Sequence, residues 1–223
     1  MSAEDGAHAR IAELVPRVSS SALHDCLITV HRHPCTINDL VCPTPGRVLF
    51  GRAATIAFLP HRADLFAGRE YDFARMYYAA VKDRARGAVL VMSSGGMPGQ
   101  ALAGGKKFSR AAFQGVAGAL TDGRFRDLHE LAELGLALYC SGESVAPANG
   151  ILVPHAADVP VQVAGVTVVP GDYVLADQAG AVVVPASVAE DVFTRAADLE
   201  RRDAATVEAS RDEAADREAN APG

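Results

Sequence analysis

Apolar residues recur along the chain in two rhythms. Phe73, Met76, Tyr77, Ala80 and Val81 fall on one face at helical spacing and predict a helix within 72–86. Ala88 to Met92 is an unbroken apolar run, the pattern of a strand covered on both faces, and Arg52 to Phe58 reads as another strand. Ser19, Ser20 and Ser21 supply N-caps ahead of a helix from Ala22 to Val30, whereas His31 to Gly46, with three prolines, reads as irregular connection. Gly105 to Glu130 combines a glycine-rich turn, a short amphipathic helix, an apolar strand (Val116 to Leu120), an Asp-Gly turn and a second helix. That order puts Arg126 and Asp127 at the carboxyl end of a strand, where α/β architectures place their chemistry. After Pro154 the texture changes to VPVQVAGVTV, PGDYVLAD and GAVVVP, short alternating segments closed by turn residues that predict a compact antiparallel or mixed β unit. A last helix is expected from about Ser187 to Asp203.

These elements predict an α/β chain with one domain over residues 11–203, a flexible N-terminus over 1–10 and a polar tail over 204–223. The chain has 223 residues, 49% hydrophobic, enough for one filled core. A formal net charge of -6 with dispersed basic residues leaves no electrostatic footprint for nucleic acid. No apolar stretch approaches the roughly 20 residues that span a bilayer. Cys26, Cys35, Cys42 and Cys140 lack CxxC spacing and no leader is visible, so a reduced, cytoplasmic protein is expected.

The candidate chemistry lies in two segments. Asp127, with Glu130 three positions on and Gly135 beyond, has the form of a helix capping box; Arg126 immediately before it makes the same cluster a candidate catalytic group, and the two readings are compatible. The glycine-rich stretch from Gly95 to Gly105 runs into Lys106, Lys107 and a helix, so backbone N–H groups there favour an anion, a carboxylate above all, with a plain flexible loop as the alternative. A P-loop is discounted because Gln100 stands where the motif needs glycine and Lys107 where it needs Ser or Thr. The seven histidines include no i, i+4 pair, and Ser93-Ser94 lack the G-x-S-x-G elbow, so a histidine zinc site and an acyl-transfer nucleophile both have little support.

Gly105, Arg126, Asp127 and Glu130 match the pattern G-X20-R-D-X2-E/D. With TDGRFRD, SSSALHDCL, GRAATIAF and VPVQVAGVTVVPGDYVLADQAGAVVVP, they make residues 10 to 200 resemble the RraA-like proteins, which include 4-hydroxy-4-methyl-2-oxoglutarate aldolases and the regulator of ribonuclease activity A. The resemblance implies a swivelling β/β/α fold assembled as a trimer or hexamer, with clefts between subunits. It implies a lyase that cleaves a carbon–carbon bond of a small 2-oxo acid, by retro-aldol reaction or oxaloacetate-type decarboxylation, through a pyruvate enolate. Asp127 would hold Mg²⁺ or Mn²⁺, Arg126 would contact the pyruvyl oxygen, and Glu130 would complete the catalytic set. Gly104, Gly105, Lys106 and Lys107 would bind the substrate carboxylate through backbone amides, and Glu200 or Asp203 of an adjacent subunit would assist through water.

The chain departs from the family where Lys106 replaces an acidic residue and Ser93-Ser94 replace a strand-end acid, changes that imply a weaker cation site or a more anionic substrate. The alternatives to a lyase are a non-catalytic protein that regulates a ribonuclease and a member recruited to different chemistry.

Overall fold

The structure, a computed structural model, describes residues 3–66 and 72–219. In chain order it contains α1 (Ala3–Leu14), α2 (Ser20–Leu27), β1 (Thr36–Ile37), β2 (Leu49–Pro60), α3 (Ala63–Phe66), α4 (Phe73–Val81), β3 (Val89–Ser93), β4 (Ala101–Ala103) and α5 (Gly105–Phe113). There follow β5 (Gly118–Thr121), β6 (Arg124–Phe125), α6 (Leu128–Glu133), β7 (Ala137–Tyr139), β8 (Leu152–Ala157), β9 (Val161–Val163), β10 (Val166–Val168), β11 (Tyr173–Asp177), β12 (Gly180–Val184) and α7 (Ala189–Ala219). The strands run β1-β12-β11-β2-β3-β5-β7 across the main sheet, with β8 also paired to β2. This is the expected mixed α/β domain.

The parallel strands β2, β3, β5 and β7 are covered on both faces, which explains their unbroken apolar sequences. Along β3, Leu90 and Met92 pack with Tyr77 and Phe108 on one face, while Val89 and Val91 pack with Val163 and Val168 on the other. Gly118 sets the spacing of this layer, because a Cβ there would lie 1.8 Å from the Ala137 carbonyl oxygen on β7. A third cluster seats Ile11, Leu23 and Leu27 of α1 and α2, with Val192 and Phe193 of α7, against Tyr173, Leu175 and Val184.

The segment after Pro154 divides in two. β9 and β10 form a hairpin through Ala164 and Gly165, both at positive φ (46° and 86°) as a two-residue primed turn requires. β11 and β12 instead join the main sheet, β11 pairing antiparallel with β2. Ser19 caps α2 as expected, its hydroxyl accepting from Ala22 N at 3.1 Å. The expected irregular stretch 31–46 contains β1. Helix also extends beyond the apolar pattern at both ends: α1 begins at Ala3, and α7 has 31 residues, exposed throughout 201–217. Residues 1–2 and 220–223 of the expected termini lie outside the described residues. Among those described, no helix is long and apolar enough to cross a membrane.

Candidate active site

The cleft is built by two short strands outside the main sheet. β4 and β6 pair in parallel, Ala101 with Arg124 and Ala103 with Phe125, and Arg126 N donates to Ala103 O at 3.1 Å. Parallel strands end on the same side, so Gly104-Gly105 and Arg126-Asp127 emerge next to one another. The long spacing from Gly105 to Arg126 is the length of the α5, β5 and Asp-Gly crossover that returns the chain to this edge. Underneath, Phe108 of α5 and Phe125 of β6 meet edge to face at 4.8 Å, both buried, and pin the two walls together.

All seven sequence-predicted residues line one cleft of about 480 Å³: Gly104, Gly105, Lys106, Lys107, Arg126, Asp127 and Glu130. Asp127 has φ 62° and ψ 36°, a left-handed conformation that Asp tolerates better than most side chains. The capping box expected there is not made. Asp127 gives no side-chain cap to its own helix, because this backbone conformation turns its carboxylate back toward α5. There Oδ2 accepts from Gly105 N at 3.2 Å, serving a helix whose N-cap, Gly104, has no side chain to offer. Arg126 Nε donates to both Asp127 oxygens at 3.3 Å in a partly exposed pair, which contributes orientation more than stability. The cap of α6 comes instead from Glu143, whose Oε1 accepts from Leu128 N at 3.2 Å. Glu143→Ala is expected to cost about 1 kcal/mol, read by chemical denaturation; an unchanged midpoint would remove Glu143 from this role.

Both glycines are needed for close approach. A Cβ on Gly104 would lie 2.5 Å from Arg126 Cγ and 2.7 Å from Asp127 Oδ2; one on Gly105 would lie 2.8 Å from Glu130 Oε2 and 3.8 Å from Asp127 Oδ2. The Asp127 and Glu130 carboxylates thus converge over Gly105. Two carboxylates beside open volume suit a hard dication such as Mg²⁺, which takes one or two protein carboxylates and keeps several waters. Among the described residues no third His, Cys, Asp or Glu joins them to make a closed cage.

In the first turn of α5, Gly105 N is taken by Asp127 and Lys107 N donates to Gly104 O at 3.0 Å. Lys106 N is then, among the described residues, the amide of this turn without a hydrogen-bond partner, and it lies at the positive end of α5 where an anion is favoured. The Lys106 side chain is exposed. Lys107 is half-buried: its Nζ donates to Leu102 O at 2.7 Å and sits 4.4 Å from the centroid of the Phe73 ring. Burial pushes its pKa down to about 8, opposed by Asp72 and reinforced by Arg126.

Other candidates fall elsewhere. Ser94 is fully buried and neither serine lines the cleft; Asp122 accepts from Ser94 N at 2.7 Å and from Ala164 N at 3.3 Å, tying the end of β3 to the β9–β10 hairpin. Glu200 accepts from Ser19 N of its own chain at 3.1 Å, while Asp203 is exposed on α7. His129 is exposed on α6. Sequence reasoning missed Pro147 and Asn149, which supply the facing rim; the Pro-Ala-Asn-Gly run at 147–150 marks a turn but carries no sign that it faces the cleft.

A family model described as RraA-like, Aldolase/RraA, matches residues 20–183. A 4-hydroxy-4-methyl-2-oxoglutarate aldolase of Thermus thermophilus is 33% identical over 109 residues, 47% of this chain and 63% of that protein. Other curated relatives are matched over 55% of their length, so the chain spans little more than half of them. Among solved structures, Streptomyces coelicolor RraAS2, described as an unusual member of the RNase ES inhibitor RraA protein family, superposes with TM-score 0.76 at 30% identity, covering 88% of this chain and 94% of that one. An uncharacterized protein from Pseudomonas syringae superposes equally well, TM-score 0.76 over 91% of this chain and 92% of that one, and at 23% identity it speaks to the fold alone.

Proposed function

The chain belongs to the RraA-like family, and from that premise we propose that it is a divalent-metal-dependent lyase cleaving a carbon–carbon bond of a small 2-oxo carboxylate, by retro-aldol reaction or oxaloacetate-type decarboxylation. The observation that carries this reading is the convergence of Arg126, Asp127, Glu130 and the first turn of α5 in a single cleft. Breaking the bond next to a 2-oxo acid leaves an electron pair that spreads onto the pyruvyl oxygen, and that oxygen must be stabilised as its charge grows.

Asp127 and Glu130 would hold Mg²⁺ or Mn²⁺, which supplies positive charge close to that oxygen. The Arg126 guanidinium, oriented by Asp127, donates to the same oxygen from a preset position, so little reorganisation accompanies the reaction. Lys106 N, at the positive end of α5, receives the substrate carboxylate and fixes its register against Arg126. The α5 start thereby orients the 2-oxo acid, and the Arg-Asp pair answers its developing charge. Homo-oligomerisation belongs to the same reading, because the exposed reach of α7 over 201–217 offers a neighbouring copy a helical surface and Asp203 a route to its cleft.

The test is pyruvate release from oxaloacetate and from 4-hydroxy-2-oxo acids, with added Mg²⁺ or Mn²⁺ and after chelation. Release that requires the ion supports the reading; no release from any of these substrates, or release indifferent to chelation, overturns it. A second reading, a non-catalytic regulator of a ribonuclease, draws on the 30% identity with the Streptomyces member of the RNase ES inhibitor family. Co-elution with a ribonuclease in the absence of 2-oxo acid turnover would favour it.

A further inference from the structure

Three cations and two carboxylates line the cleft: Lys106, Lys107 and Arg126 against Asp127 and Glu130. Arg126 is paired with Asp127 and Lys106 is exposed to water. Lys107 differs from both. It is half-buried, and among the described residues no carboxylate lies within salt-bridge distance of its ammonium. Asp72 acts on this ammonium from a distance without forming a salt bridge, and burial outweighs it; an ammonium so placed is costly, and a side chain serving only to pack on Phe73 would be better as Met or Leu. The group is also held in place, by Leu102 O at 2.7 Å and by the Phe73 ring. A lysine ammonium has three N–H donors, and these two contacts use at most two of them. A positioned, undercompensated cation at a cleft wall is completed by an arriving anion.

We propose that the Lys107 ammonium is a specificity-determining contact that receives the distal carboxylate of a 2-oxo dicarboxylate, the 2-oxo acid end lying at Arg126 and Lys106 N. This rests on the 2-oxo acid reading above and adds to it a second anchor, contributed by a side chain rather than by the backbone of α5. It also gives the lysine in this turn a use that its sequence neighbour Lys106, exposed to water, does not share.

The probes are 2-oxoglutarate and 2-oxopentanoate, which share a five-carbon chain and a 2-oxo acid end and differ by a terminal carboxylate against a methyl. Each is titrated into the full chain with Mg²⁺ by calorimetry. The wild type is expected to bind 2-oxoglutarate at least about tenfold more tightly, the scale of one charge-assisted hydrogen bond. Lys107→Met should abolish that preference, leave the 2-oxopentanoate affinity within about twofold, and keep the melting temperature within roughly 4 °C, since the lost hydrogen bond to Leu102 is offset by relief of the desolvated charge. Should Lys107→Met not fold, Lys107→Gln, whose amide can still donate to Leu102 O, carries the same comparison. A preference that survives either substitution, or equal weakening of both ligands, overturns the assignment. A wild type that releases pyruvate yet binds the two probes equally overturns this inference alone; one that binds neither probe and releases no pyruvate overturns the lyase reading with it.

Discussion

Asp127→Asn will lower 2-oxo acid cleavage by about two to three decades while leaving the fold intact. The asparagine amide oxygen can still accept from Gly105 N, so α5 keeps its borrowed cap. Asparagine is also among the few side chains at ease at φ 62°. What disappears is the negative charge, and with it both the partner that orients Arg126 and the carboxylate that would hold the dication. Asp127→Ala removes the cap as well, and should add about 1–2 kcal/mol of destabilisation to a similar loss of rate. Comparing the two variants by kcat/KM and by thermal melting separates charge from scaffold. If Asp127→Asn retained activity within threefold of wild type, Asp127 would be a capping residue and nothing more.

Gly104→Ala should lower activity by about a hundredfold through geometry alone. Its φ of −160° is extended backbone that alanine adopts freely, so the substitution strains no dihedral. The new methyl would nonetheless stand 2.5 Å from Arg126 Cγ and 2.7 Å from Asp127 Oδ2, which forces the Arg-Asp pair away from α5 by something near 1 Å. A displacement of that size costs about two decades when reacting groups must be aligned. Gly105→Ala is crowded only by Glu130 Oε2, the far end of a side chain able to swing aside, its 3.8 Å approach to Asp127 Oδ2 being ordinary contact, and its effect should be roughly tenfold or less. Kinetics on the two variants, each checked for an intact fold, test the ranking; equal losses would mean that the glycines serve the backbone rather than the carboxylates they admit.

The parts of the site legible in the sequence are those set by local rules. Apolar runs and turn residues located β3, α4, α5 and β5, while the pairing of Gly105 with Arg126-Asp127 as the two walls of a cleft came from the resemblance to the RraA-like pattern. Partners that meet only in three dimensions were not legible. Asp127 and Glu130 have capping-box spacing, yet the left-handed backbone at Asp127 sends its carboxylate to the neighbouring helix, and Glu143 arrives from a different loop to cap α6. Lys106 and Lys107 read alike in the sequence, as backbone donors at a helix start; the burial of the Lys107 side chain against Phe73 is not encoded in sequence spacing. The β11 and β12 segments are buried almost throughout rather than on alternate positions, because the register of β11 with Leu49 to Arg52 makes the hairpin part of the main sheet. Likewise α7 outruns its apolar stripe, ending in a polar helix where pattern alone leaves frayed chain and solvent-facing helix both open.

The most direct test of the central claim bypasses the identity of the substrate. If Asp127 and Arg126 stabilise charge on a pyruvyl oxygen with the help of a dication, the protein should promote exchange of the methyl protons of pyruvate with deuterium from D₂O, followed by proton NMR. The account predicts exchange well above the buffer rate with Mg²⁺ or Mn²⁺, lost on chelation and in Asp127→Asn. Exchange no faster than in buffer, or equal in wild type and Asp127→Asn, would contradict it.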